Sequence, residues 1–253
     1  MLEPIAKRST TRWRRGLRQG LYDDHDLYWK PFWPLSKGEA HYFYWFIQGG
    51  IMSVDTRRAL RRGWGLCERH AWAALAVEMC FRSRYLLGPA ILYEDLLDQC
   101  VSLIPRHGPR KEWRFKRRLR PKGPCMACDM RIYEAGGGLG NPAMMERGQH
   151  TDELLSFALE HRVYWLDTVC GACGGSSETL CRRHLLNRAG PVDRNGFERL
   201  RCLLESTRHR VTAFSRSYHW ERRGSDRPEN RAALLTAIGW LSGWRPLLLL
   251  IGE

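Results

Sequence analysis

Four short pairs of residues carry the chemistry in this sequence. They are Cys67/His70, Cys125/Cys128, Cys170/Cys173 and Cys181/His184, each with two residues between its members. That spacing turns two donors toward one ion, and thiolate sulfur with imidazole nitrogen is the donor set that suits Zn²⁺. The eight donors would fill two tetrahedral sites. Because a knuckle is expected to pair with the C-x-x-H that repeats along the chain, Cys125, Cys128, Cys181 and His184 form the expected zinc site. Cys67, His70, Cys170 and Cys173 are then left for a second metal. A Cys125/Cys128/Cys170/Cys173 tetrathiolate is the other arrangement. An iron–sulfur cluster is a weaker reading, since such clusters usually take four thiolates. Cys170/Cys173 could also serve a thiol–disulfide oxidoreductase, although no thioredoxin-like βαβ pattern surrounds it.

The pairs lie on a repeat. Leu66-Cys67-Glu68-Arg69-His70 matches Leu180-Cys181-Arg182-Arg183-His184 in all but one position. Both copies run into helix-forming residues, and ligands three apart in a first helical turn share a face. Upstream of the first copy stands Trp33-Pro34-Leu35-Ser36, which reads as a C-P-L-C knuckle with both ligands lost. Apolar spacing predicts helices over 39–48, 56–62, 67–84, 89–103, 151–170 and 229–241. Phe197, Leu200, Leu204, Val211, Phe214 and Tyr218 form an amphipathic stripe. No strand alternation is evident, so the expected fold is all-α: two tandem helical repeats with small metal-binding knuckles. The expected organisation is a basic N-terminal arm over 1–20, repeat one over 21–104, a basic Pro-bracketed linker over 105–124, and repeat two over 125–253. Cys80, Cys100 and Cys202 fall on apolar helical faces and are expected in the core.

The chain has 253 residues and a net charge of +14, with 35 Arg against 6 Lys. The segment 106–122 concentrates that charge. Arg106, Arg110, Lys111, Arg114, Lys116, Arg117, Arg118, Arg120 and Lys122 meet one acid, Glu112, with Trp113 and Phe115 interleaved. Cations alternating with aromatics suit phosphate contacts and base stacking, so Arg110, Lys111, Arg114, Lys116, Arg117, Arg118 and Arg120 are candidate nucleic-acid contacts. The competing reading is a solvated linker whose arginine stems cover a neighbouring face.

A hydrophobic share of 43% excludes a wholly disordered chain. No phosphate-binding loop, dinucleotide turn, G-x-S-x-G or H-E-x-x-H occurs, and no catalytic residue is proposed. No apolar run is long enough for a transmembrane helix, and no apolar stretch follows the basic N-terminus as in a secretory signal. Together with clustered rather than scattered cysteines, this predicts a cytoplasmic protein. The apolar tail 247–251 is expected to dock on the core or on a partner protein.

The layout resembles a bacterial family of unknown function built on tandem copies of C-P-x-C, a helical stretch and G-L-C-x-x-H, closed by an aromatic-rich helix pair. The matching residues are Gly65–His70 in the first copy, Cys125/Cys128, Leu180–His184, and the closing segments 214–220 and 230–243. The resemblance spans about residues 22–243, departs at Trp33, Ser36 and the extra Cys170/Cys173 pair, and implies no reaction. The reading favoured is a non-enzymatic, zinc-stabilised helical interaction or adaptor module, with a nucleic-acid-binding protein using 106–122 and a thiol–disulfide oxidoreductase through Cys170/Cys173 as the alternatives.

Overall fold

Ser36 starts the first helix among the described residues. Its side chain accepts from the Glu39 amide at 3.2 Å while its own amide donates to Glu39 Oε2 at 2.8 Å, a reciprocal capping box. The position that reads as a lost metal ligand is therefore the cap of α1 (Lys37–Ile47). Trp33, the other departure from the knuckle pattern, donates its indole N–H to the Pro246 carbonyl at 2.9 Å. The computed structural model describes residues 32–81, 84–104, 112–134, 141–190 and 192–252. The expected N-terminal arm and the Gly-rich stretch 136–140 lie outside the described residues.

Among the described residues the protein is all-α. After α1 come α2 (Val54–Gly63), α3 (Glu68–Phe81), α4 (Leu87–Leu103), α5 (Glu112–Leu119) and the single-turn α6 (Met126–Asp129). Then follow α7 (Pro142–Gln149), α8 (Asp152–Glu160), α9 (Arg162–Trp165), α10 (Arg182–Asn187), α11 (Arg194–Ser217), α12 (Pro228–Ser242) and α13 (Arg245–Ile251). The only pairing of extended backbone among the described residues is an isolated bridge between Cys170 and Ser177.

Three elements differ from expectation. The helix expected over 151–170 breaks at His161, into α8, α9 and a 3-10 turn over Leu166–Thr168. Trp165 is fully buried, and its indole N–H bonds the Ala158 carbonyl at 2.9 Å, one of the acceptors that the end of α8 releases. The stretch expected as a linker contains α5, which buries Glu112, Phe115 and Leu119. Cys80 and Cys100 are buried as expected, but Cys202 is exposed. It lies two residues from both Leu200 and Leu204, so the helix turns it away from the stripe they form.

Helix α12 is the centre. Nearly every residue from Ala232 to Ser242 is buried, as befits a helix covered on all sides. It packs against α3, α4, α9, α10 and α11, and α11 lies along α4 through its predicted stripe. Residues of both stretches expected as repeats thus share one core: Trp33–Glu253 forms a single compact unit. The tail docks on this core, with Leu247 and Leu248 buried where α13 meets α3 and α8. Trp244 stacks on Trp165 at 5.8 Å and sits 6.3 Å from Trp72. Gly239 makes room for it, since a Cβ there would lie 2.3 Å from the Trp244 ring.

Candidate metal centres

The chain folds its four pairs into two tetrads. Cys67 lies just before α3 and His70 in its first turn, where they meet Cys125, the N-cap of α6, and Cys128 within that turn. His70 Nδ1 lies 3.3 Å from Cys67 Sγ, 3.6 Å from Cys125 Sγ and 3.3 Å from Cys128 Sγ. The second tetrad joins Cys170 and Cys173 to Cys181, the N-cap of α10, and to His184. His184 Nδ1 lies 3.5, 3.3 and 3.3 Å from the sulfurs of Cys170, Cys173 and Cys181. In each tetrad the four donor atoms all lie within 4.8 Å of one another, so each could hold a metal ion. All nine cysteines are free of disulfide bonds.

The eight residues are those singled out in the sequence, but the partition is different. Cys181/His184 takes the knuckle directly before it, across residues 174–180, rather than Cys125/Cys128. Closing that short loop costs less chain entropy than closing the one over residues 129–180. Cys125/Cys128 is thereby left to Cys67/His70, which has Trp33 and Ser36 rather than cysteines at the upstream positions expected for a knuckle. Donor order is reversed between the sites: C-x-x-H precedes C-x-x-C in the first and follows it in the second.

Local backbone explains the second knuckle. The Gly171 amide donates to the Ser177 carbonyl at 2.9 Å, and the Ser177 amide to the Val169 carbonyl at 3.0 Å. Between them Gly174 adopts a φ of +106°, a conformation that glycine enters without penalty.

Within each tetrad the thiols shift one another. In the first tetrad burial pushes Cys125 up, but hydrogen bonds from Cys128, Cys67 and His70 hold it well below the ordinary thiol range. Hydrogen bonding with Cys125 and Cys128, then burial, pushes Cys67 well above that range. In the second, Cys173 and Cys181 hold Cys170 low, while hydrogen bonding to Cys170 pushes Cys173 up to about 12. One thiolate per cluster is favoured and the next is opposed; a bound dication stabilises all three.

Residues beyond the donors orient them. His70 Nε2 faces Glu39 Oε1 at 3.4 Å. Glu39 is gripped by Arg69 through contacts of 2.6 and 2.8 Å and by the Ser36 amide. Burial pushes the Glu39 carboxyl up, but Arg69 and His70 outweigh it and bring it down to about 2. A carboxylate behind a histidine fixes the ring and raises its basicity as a ligand. Glu39 is not among the residues singled out in the sequence; the S-x-x-E pattern at Ser36 and Glu39 is the signal that could have found it. Helix α12 holds both pentapeptides at their leucines: Trp240 donates to the Leu180 carbonyl and Ser242 to the Leu66 carbonyl, both at 3.0 Å.

The basic segment divides. Arg110 and Lys111 lie outside the described residues. Lys116 turns inward to Glu112 at 2.8 Å and to the Arg188 and Gly190 carbonyls. Arg114, Arg117, Arg118 and Arg120 are exposed. No helix among the described residues is long and apolar enough to cross a membrane. Comparison with protein-family models, curated proteins and solved structures finds no match to this chain.

Proposed function

We propose that this chain binds two structural zinc ions and works as a non-catalytic helical interaction module. The observation that carries the reading is the composition of the tetrads: three sulfurs and one imidazole nitrogen, twice, within ligating reach of one another. Four protein donors complete a tetrahedron around Zn²⁺ and leave no open position for water or substrate, the hallmark of a structural rather than a catalytic site. The one imidazole in each set favours zinc over an iron–sulfur cluster. The position of Cys170/Cys173 beside Cys181 and His184 supports ligation rather than dithiol exchange. Metal-ligating thiolates persist where thiols are kept reduced, so the reading includes a cytoplasmic setting.

Each ion would tie segments distant in sequence to the first turn of a helix, and metal-binding free energy would count as folding free energy. Elemental analysis of the purified full chain tests this. Two zinc ions per chain are expected; iron with acid-labile sulfide, or no metal, overturns it.

A further inference from the structure

Helix α5 is built with two unlike sides. Glu112, Phe115 and Leu119 face the core, and Lys116 is held beside them by Glu112. The remaining arc carries Trp113, Arg114, Arg117 and Arg118, all exposed, and Arg120 and Lys122 continue the exposed charge beyond the helix end. Residues three and four apart share a helix face, so Trp113 sits with Arg117, and Arg114 with Arg118. Among the described residues no carboxylate pairs with any of these cations; the sole acid of the helix turns inward to Lys116 and to the Val192 amide. By contrast, Arg57, Arg61, Arg69, Arg84, Arg183 and Arg208 all meet carboxylates.

The helix is also held firmly. Trp64 donates to the Arg118 carbonyl at 2.9 Å, Arg182 to the Leu119 carbonyl at 3.1 Å, and the Lys122 amide to the Arg62 carbonyl at 2.9 Å. Arg182 lies between the donors of the second tetrad, and Cys125 of the first follows α5 within the same segment. Both candidate metal centres therefore brace this one helix, and the cations are presented on a rigid element.

Unmatched cations side by side repel one another and attract a polyanion. Trp113 is 57% exposed, and the Arg114 guanidinium lies 5.3 Å from its ring centroid. An exposed indole with a guanidinium over it is a platform for a flat aromatic ligand, which neither an acidic peptide nor a lipid headgroup supplies. We infer that the exposed face of α5 binds single-stranded nucleic acid, with Arg114, Arg117, Arg118, Arg120 and Lys122 on phosphates and Trp113 stacked on a base. This rests on the interaction-module reading and names its partner.

The test uses full-length, metal-loaded protein and a fluorescent oligothymidylate, with anisotropy read across a salt series. Expected is saturable binding at low salt whose log K falls linearly with log salt, at about 0.7 per phosphate neutralised. Replacing Arg114, Arg117 and Arg118 together by Gln flattens that slope and weakens binding about tenfold or more. Trp113→Ala leaves the slope unchanged and weakens binding at least about fivefold. All four side chains are exposed, so melting and metal content of these variants stay as in the parent. Absence of binding, an unchanged triple variant, tighter binding to phosphatidylserine vesicles, or equal affinity for polyphosphate with Trp113→Ala silent overturns the inference. Metal content of the same samples separates the readings: two zinc ions without oligonucleotide binding defeats this inference alone.

Discussion

Glu68 and Arg183 form an ion pair that joins the two candidate metal centres. Each sits between the Cys and His of its own pentapeptide, and the contact Arg183 Nη1 to Glu68 Oε2 is 2.5 Å. The same carboxylate accepts from the Arg245 amide at 3.1 Å, so it also fixes the turn between α12 and α13. Gly243 stands at that turn with φ +122°, and a Cβ on it would lie 2.4 Å from Glu68 Oε1. The Trp72 indole donates to the Gly243 carbonyl at 2.7 Å. The one position at which the two pentapeptides differ thus holds Glu68, whose negative charge lets the two copies face each other.

The two members of that pair should be energetically coupled. Glu68→Gln and Arg183→Gln should each lower stability by roughly 1–3 kcal/mol, and the double variant by less than their sum. Chemical denaturation of the four proteins of the cycle checks this; strict additivity would show that the contact contributes nothing.

Each tetrad should answer for one ion. Cys67→Ser and Cys181→Ser should each reduce the zinc content from two per chain to one, and each should lower the melting temperature, since a three-donor site holds structural metal poorly. Native mass spectrometry reads the stoichiometry. Loss of both ions from either variant would mean that the sites assemble as one unit.

Glu39 should matter through His70. Glu39→Gln should weaken metal binding in the first tetrad by about 10–100-fold while the second keeps its affinity. Competition with a chromophoric chelator separates two releasing populations. A uniform weakening of both would point to a general loss of stability instead.

The Trp244 seat should tolerate no added carbon. Gly239→Ala should lower the melting temperature, because overpacking of about 1–3 kcal/mol at the indole exceeds the helix-propensity gain of roughly 1 kcal/mol. An unchanged or raised melting temperature would show that the ring can shift.

Thiol reactivity should sort by burial. In the metal-loaded protein Cys202 should be alkylated first, whereas Cys80 and Cys100 should react only on unfolding. Burial pushes Cys80 up to about 11 and Cys100 to about 12, so neither supplies thiolate near neutral pH. Peptide mapping after a brief pulse of iodoacetamide reads the order.

Much of this protein is legible along the chain because its signals are local. The eight donors stand out by two-residue spacing, which reflects the reach of one turn around one ion. The helices over 89–103 and 229–241 follow from apolar periodicity, and the stripe from Phe197 to Phe214 is nearly the buried face of α11. The capping box at Ser36 and Glu39 is equally local in its signal, but Ser36 reads in sequence as a lost ligand, and the link of Glu39 to His70 is tertiary.

What the tertiary structure decided is pairing. Spacing alone cannot say which knuckle completes which C-x-x-H, because both partitions satisfy the same donor chemistry; chain path and loop closure choose between them. Nor does periodicity show that a helix ends at His161, where the buried Trp165 indole takes the Ala158 carbonyl. The same holds for Glu68 and Arg183. In sequence they are two charged residues between ligands; only when the chain brings both pentapeptides against α12 does their opposite charge acquire a partner and a purpose.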